Sequence, residues 1–407
     1  MSSRVVLTAV LTALCCRAAG ALIHDVAFWN YGYFAAYVCL VVAVPRRLTV
    51  VGPWLIAVVM DLCLNRWWGE YHITGENFAI FMAFIGIGAL IIAGHLALAG
   101  GEPGRHIRAR VLAPAAVLCA YPILASHVLQ QGPRLSPLTL DMHLVAFDSA
   151  LGEQWSFAIG RWAQAAPAFK ALLVHSYGML PIAVAVIYAL LLRQGRGGDF
   201  LWLFMVAGLL GLASYWLFPA SGPSYVFLER FPDHAPSQKL VRSLQLRPIA
   251  VADAPRNCVP SLHITWTLLL FWYSRGLHPA ARGLALAFLL LTVLSTLGLG
   301  EHYVADLVIA VPFSLLVAAI FARRVAVQAG VRLRALLGGG GLFALWLGLL
   351  RWGHPLFWLS PAVGWGLIAV TLAVCIVWQR QLARVAQPLP SDHEDFLMAA
   401  KDGAQGP

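Results

Sequence analysis

Twelve apolar runs, most of them about as long as a bilayer core is thick, follow one another along the chain with polar hinges and loops between them. They fall at 5–23, 28–44, 50–64, 78–99, 111–128, 170–193, 199–218, 260–276, 279–299, 302–322, 335–350 and 356–378. A hydrocarbon core takes about 20 mainly apolar residues per helix, and inside it each backbone N–H and C=O has to be satisfied within its own segment. The runs therefore predict an all-α, polytopic membrane bundle of about twelve helices. Composition agrees, because 60% of the residues are hydrophobic and 11% charged, against roughly 45–50% and 25% in a soluble domain. A soluble globular protein and a disordered chain are both excluded. The first run also reads as a signal peptide, with Arg4 before it and Ala19-Gly20-Ala21 at its end. Kept or removed, it leaves the later helices facing the same way.

The net charge of +10 resides in the hinges, where arginine sets topology and meets headgroups, and no basic stripe alternates with exposed aromatics. Nucleic acid is not an expected partner; the membrane and its lipids are. Seventeen basic residues fall on the side of the N-terminus and ten on the opposite side. The first side also has the shorter loops, so it is expected to be cytoplasmic, with both termini there when the first helix is kept, in a plasma or inner membrane. The seven cysteines lie mostly within apolar runs and lack C-x-x-C spacing, which indicates neither a disulfide framework nor a zinc site. Cys258 and Asn257 carry no expectation beyond loop packing.

Two long segments lie on the outer side. Residues 129–169 contain an expected interfacial stretch, 139–165, in which Trp155, Ile159 and Trp162 share a helical face. Residues 219–259 form a Pro-rich loop with five of the ten outer basic residues. The expected organisation is N-terminal helices of unknown role over 1–110, a core over 111–322, two additional helices over 323–378 and a polar tail over 379–407.

Titratable groups at membrane depth are costly and point to function. Asp61, His95, His127 and His175 are explained by snorkelling or interhelical hydrogen bonds. His263, His302 and Asp306 differ, because they form a constellation. Pro260-Ser261-Leu262-His263 opens one helix and Glu301-His302-Tyr303-Val304-Ala305-Asp306 opens the next but one, so both histidines are expected in first helical turns on the outer side. His302 and Asp306 are spaced i, i+4, which lets the carboxylate hold the imidazole. The helix start at Pro260, with Ser261 beside it, is an expected phosphate seat. Arg256, Lys239 and Arg247 on the basic loop supply the expected countercharge, with Arg242 nearby. Two histidines, a carboxylate and a basic loop suggest phosphoryl transfer, with one histidine attacking phosphorus and the other protonating the leaving oxygen. A metal is the rival reading of His-x3-Asp, disfavoured because the basic loop would repel a cation. No metal and no cofactor is expected.

At these residues the chain resembles the type 2 phosphatidic acid phosphatase superfamily, through Pro-Ser-x-His at 260–263 and His-x3-Asp at 302–306 with Ser295 seven residues earlier. The resemblance runs over roughly 111–322 and implies a six-helix core. It also implies that His302 is the nucleophile that becomes phosphorylated, Asp306 its orienting partner, His263 the general acid and Ser261 a phosphate contact. The chain departs from the phosphatase pattern at Thr296, where arginine is usual, and at Lys239 to Arg247-Pro248, where seven residues intervene instead of six. Tyr215 to Tyr225 (YWLFPASGPSY), the leucine of Pro-Ser-Leu-His and the tyrosine after His302 look like the inositolphosphotransferase branch, which includes the inositol phosphorylceramide synthases. The resemblance thus implies transfer of a phosphorylated headgroup on a lipid at the outer leaflet, with a lipid phosphate phosphatase as the alternative. A transporter with a histidine proton relay is a remote third reading.

Overall fold

The computed structural model describes residues 30–68, 75–98, 101–194, 196–322 and 328–385. The first expected span and the tail beyond 385 lie outside the described residues, and the signal-peptide reading falls there. The described chain is nearly all helix: α1 (Asn30–Ala43), α2 (Arg47–Trp68), α3 (Gly75–Ala97), α4 (Ala113–Gln130), α5 (Asp141–Ala150), α6 (Trp155–Ala165), α7 (Pro167–Gly178), α8 (Leu180–Arg193), α9 (Gly197–Ser214), α10 (Leu262–Tyr273), α11 (Pro279–Gly298), α12 (Val304–Phe321), α13 (Ala329–Trp352) and α14 (Pro361–Val385). Among the described residues one two-residue ladder forms, β1 (Leu138–Thr139) with β2 (Ile249–Ala250), antiparallel and pairing Leu138 with Ala250.

Five described helices are long and apolar enough to cross a membrane, namely α3, α11, α12, α13 and α14, or six if α7 and α8 count as one broken span. Several other expected runs form shorter helices. α10 stops at Tyr273, with Gly276 in a left-handed conformation, φ 84°, just beyond it. α1 ends two residues before Pro45, whose ring fixes its own φ and disfavours a helical residue ahead of it. α14 instead outruns expectation and reaches Val385. Trp378, Leu382 and Val385 keep the i, i+4, i+7 spacing there, and Leu382 is buried.

The chain divides into two compact units, residues 1–127 with 178–197, and residues 128–177 with 198–407. In the first unit α1 lies so close to α3 that a side chain at Gly86 would collide with the Tyr33 carbonyl. Met60, Phe84, Ile85 and Ile87 make its core.

In the second unit α12 is the central element, with Ile309, Ala310, Leu315 and Val317 fully buried. α11 keeps Leu284 and Leu290 exposed, as α14 does Val370, the apolar exterior of a bundle made for lipid. The expected interfacial stretch splits in two. α5 is almost wholly buried, from Asp141 to Ala150, whereas α6 is amphipathic, with Ser156, Phe157, Gly160 and Ala163 inward and Trp155 and Trp162 exposed. The C-terminal helices brace α5. Phe147 meets Trp346 edge-on at 5.4 Å and Phe357 at 4.7 Å, and Trp365 Nε1 donates to the Leu151 carbonyl at 3.1 Å.

Candidate active site

α10 starts where the sequence places it. Ser261 is its N-cap, and the Ser261 hydroxyl accepts from the Ile264 amide at 3.4 Å, which satisfies one of the orphan donors of a first turn. His263 follows inside the helix. α12 starts later than expected, at Val304, so His302 is not in its first turn. The amides of Glu301 and His302 both donate to the Thr296 carbonyl at 3.1 Å. That closes the end of α11 and leaves His302 in the connection ahead of α12.

The expected pair forms all the same. His302 Nδ1 lies 2.6 Å from Asp306 Oδ2, with both side chains buried. Asp306 Oδ1 accepts the Tyr303 amide at 3.0 Å, so the carboxylate reaches back over the helix start. An Nδ1–H held by a carboxylate leaves the Nε2 lone pair as the reactive one, and Nε2 faces Ser261 Oγ at 3.2 Å. The His263 ring stands 6.5 Å from the His302 ring, centre to centre. Tyr177 of α7 stacks on it at 3.8 Å and fixes its plane. Ser261, His263, His302 and Asp306 are thus brought together by α10 and the approach to α12.

The basic residues lie elsewhere. Lys239 and Arg247 are exposed, and Arg247 Nη2 donates to Gln245 Oε1 at 2.7 Å. Arg256 is buried, with its guanidinium given to backbone carbonyls: Nε to Ser136 at 2.9 Å, Nη1 to Ala254 at 2.6 Å, Nη2 to Val251 at 2.7 Å and to Pro137 at 3.3 Å. Nη1 also reaches the Ser221 hydroxyl at 3.0 Å. Arg256 therefore knits the long loop to the segment ahead of α5. A groove of ≈ 320 Å³, lined by Leu129, Leu135, Leu212, Tyr215 and Trp216, opens beside Arg256.

Sequence reasoning missed the residues that hold His302 and Asp306 in place. Cys258 donates its thiol to Asp306 Oδ2 at 2.7 Å and stands 3.7 Å from His302 Nδ1. Burial and the Asp306 carboxylate push that thiol well above its ordinary pKa, so it stays a protonated donor. Asp148 of α5 accepts the amides of Val304 at 2.9 Å and Ala305 at 3.3 Å, capping α12 from outside. Asp141 accepts the Ser221 and Gly222 amides and, at 3.0 Å, the Tyr303 hydroxyl. Ser156 of α6 donates to the His302 carbonyl at 2.8 Å. Gly222 is required by its φ of 108° and by the Glu301 carbonyl, 2.5 Å from where a Cβ would stand. The only signal in the sequence was the acidic pair Asp141 and Asp148 inside a stretch otherwise apolar.

Among curated proteins and among solved structures, no match to the chain is found. Residues 142–320, the segment from α5 through α12, match the family model described as the PAP2 superfamily.

Proposed function

We propose that the chain is a membrane lipid phosphotransferase acting on a phospholipid or lipid phosphate at the outer leaflet through a phosphohistidine. The observation that carries this reading is the orientation of His302, with Nδ1 tied to Asp306 at 2.6 Å and Nε2 open toward Ser261. In the first step His302 Nε2 attacks phosphorus, the bond to the leaving oxygen breaks, and His263 supplies that oxygen's proton. In the second step the now neutral His263 takes the proton of the acceptor hydroxyl, whose oxygen displaces His302, which regenerates the His302 imidazole and the His263 imidazolium that began the cycle. In this reading Ser261 and the start of α10 receive phosphoryl oxygens. Lys239 and Arg247, exposed on the long loop, are the proposed countercharge, and Arg256, whose guanidinium is held by backbone carbonyls, orders that loop.

The superfamily supports an enzyme of the phosphatase or phosphotransferase type. Within it, Tyr215 to Tyr225 and the Pro-Ser-Leu-His form favour an alcohol acceptor of the inositolphosphotransferase kind. With water as acceptor the same residues give a lipid phosphate phosphatase.

The test is to incubate the purified chain in lipid with phosphorus-labelled phospholipids, with and without inositol or diacylglycerol, and to trap an acid-labile phosphoenzyme. Label is expected on the wild type and absent from His302→Ala, which should lose turnover. His263→Ala should slow turnover by about 10²–10⁴. Full activity in His302→Ala would sink the mechanism, and the fate of the label, free phosphate or a new lipid, separates the two acceptors.

A further inference from the structure

Cys258, His302 and Asp306 bring a sulfur, a nitrogen and an oxygen within 4.8 Å of one another, and all three side chains are almost wholly buried. The thiol and the imidazole aim their protons at the same carboxylate oxygen, from 2.7 and 2.6 Å. Thiolate, imidazole and carboxylate are the ligand types of Zn²⁺ and its borderline-soft neighbours. Bond lengths of about 2.0–2.3 Å set ligand atoms roughly 3.3–3.7 Å apart around a tetrahedral ion. Sγ and Nδ1 are already 3.7 Å apart, and Oδ2 has to withdraw by about 0.8 Å once the two protons no longer hold it.

The side chains that close on the cluster are acidic rather than basic, against the expectation from a basic loop. Lys239 and Arg247 are exposed, and the Arg256 guanidinium is surrounded by carbonyls. The carboxyls of Asp148 and Asp141 close instead on the start of α12, through the Val304 and Ala305 amides and the Tyr303 hydroxyl. Glu301 is next to His302 and within electrostatic reach of it.

We propose that Cys258, His302 and Asp306 form an inhibitory site for a borderline-soft divalent cation of the Zn²⁺ class. The cation takes Sγ, Nδ1 and Oδ2. The thiol proton leaves to solvent, and the imidazole proton displaced from Nδ1 moves to Nε2. A protonated Nε2 has no lone pair with which to attack phosphorus. Binding follows from the donor set alone, whereas inhibition rests on the reaction proposed above.

The full chain in detergent or nanodiscs is titrated with Co²⁺, whose thiolate charge-transfer absorption in the near ultraviolet reports a bound cysteine sulfur. Zn²⁺ inhibition of lipid phosphate turnover, with reversal by EDTA, is measured in parallel on wild type, Cys258→Ala and Cys258→Ser. Expected are a band in the wild type that both variants lose, and a half-inhibiting Zn²⁺ concentration raised about tenfold or more in the variants. Serine keeps a hydroxyl donor for Asp306, so that variant tests the site even where alanine fails to fold. No band in the wild type, or an equal band in Cys258→Ser, would overturn the site. A band lost in Cys258→Ser while Zn²⁺ leaves wild-type turnover untouched would overturn its inhibitory part. Turnover that survives His302→Ala would instead remove the underlying reaction.

Discussion

The two oxygens of Asp306 have separate duties. One accepts the Tyr303 amide and so fixes the carboxylate to its own helix start; the other accepts the imidazole and the thiol. Replacing it by asparagine keeps the shape but offers an amide N–H₂ to a nitrogen that should itself donate, which turns His302 to the wrong tautomer. Asp306→Asn is expected to lower kcat by about 10²–10⁴ with a small change in KM, as steady-state assays on a lipid phosphate would show. The His302–Asp306 pair was legible in the sequence because four residues of spacing bring the side chains together even though His302 precedes the helix. Cys258 was not legible as a partner, because its thiol reaches Asp306 only through the path of a loop 48 residues away in sequence. Arg256 shows the opposite limit. Its nearness to Pro260 in sequence suggested a phosphate ligand, but the direction of a loop side chain is set by the carbonyls folded around it.

At the scale of elements, α5 acts as a brace between the C-terminal helices and α12. Asp148 caps two amides of α12, and removing an N-cap acceptor costs about 0.5–2 kcal/mol. Asp148→Ala should lower the thermal unfolding midpoint in detergent and reduce turnover as the approach to α12 loosens; an unchanged midpoint would remove Asp148 from that role. Trp346 is buried against Phe147, and its Nε1 donates to Thr371 at 2.9 Å. Trp346→Ala is expected to destabilise by about 3–5 kcal/mol, read as a fall in the same midpoint. That α13 and α14 support α5 was invisible in the sequence. Hydrophobic runs announce helices but, being apolar all round, do not say which face meets which neighbour. For the same reason α12, buried among helices, and α11, with exposed leucines, read alike.

For the whole molecule, the proposed sidedness rests on the distribution of basic residues. The chain has three lysines, at 170, 239 and 401, and the first two are exposed. A membrane-impermeant amine reagent applied to intact cells should label Lys170 and Lys239, and reach Lys401 only after permeabilisation, as peptide mapping would show. The reverse pattern would invert the proposed orientation. Hydropathy located the helices well, but the number of full spans depends on where each helix stops. Those stops are set by local breaks such as Gly276 and Pro45, which a window of average hydropathy smooths away.

The hydrogen bond from Ser156 to the His302 carbonyl joins that residue to α6, whose exposed edge carries Trp155 and Trp162. Indole rings settle among lipid headgroups. Under the proposed reaction such a chain carries His302 on the same lever as its grip on the bilayer surface, so lateral pressure in the surrounding leaflet is expected to alter turnover.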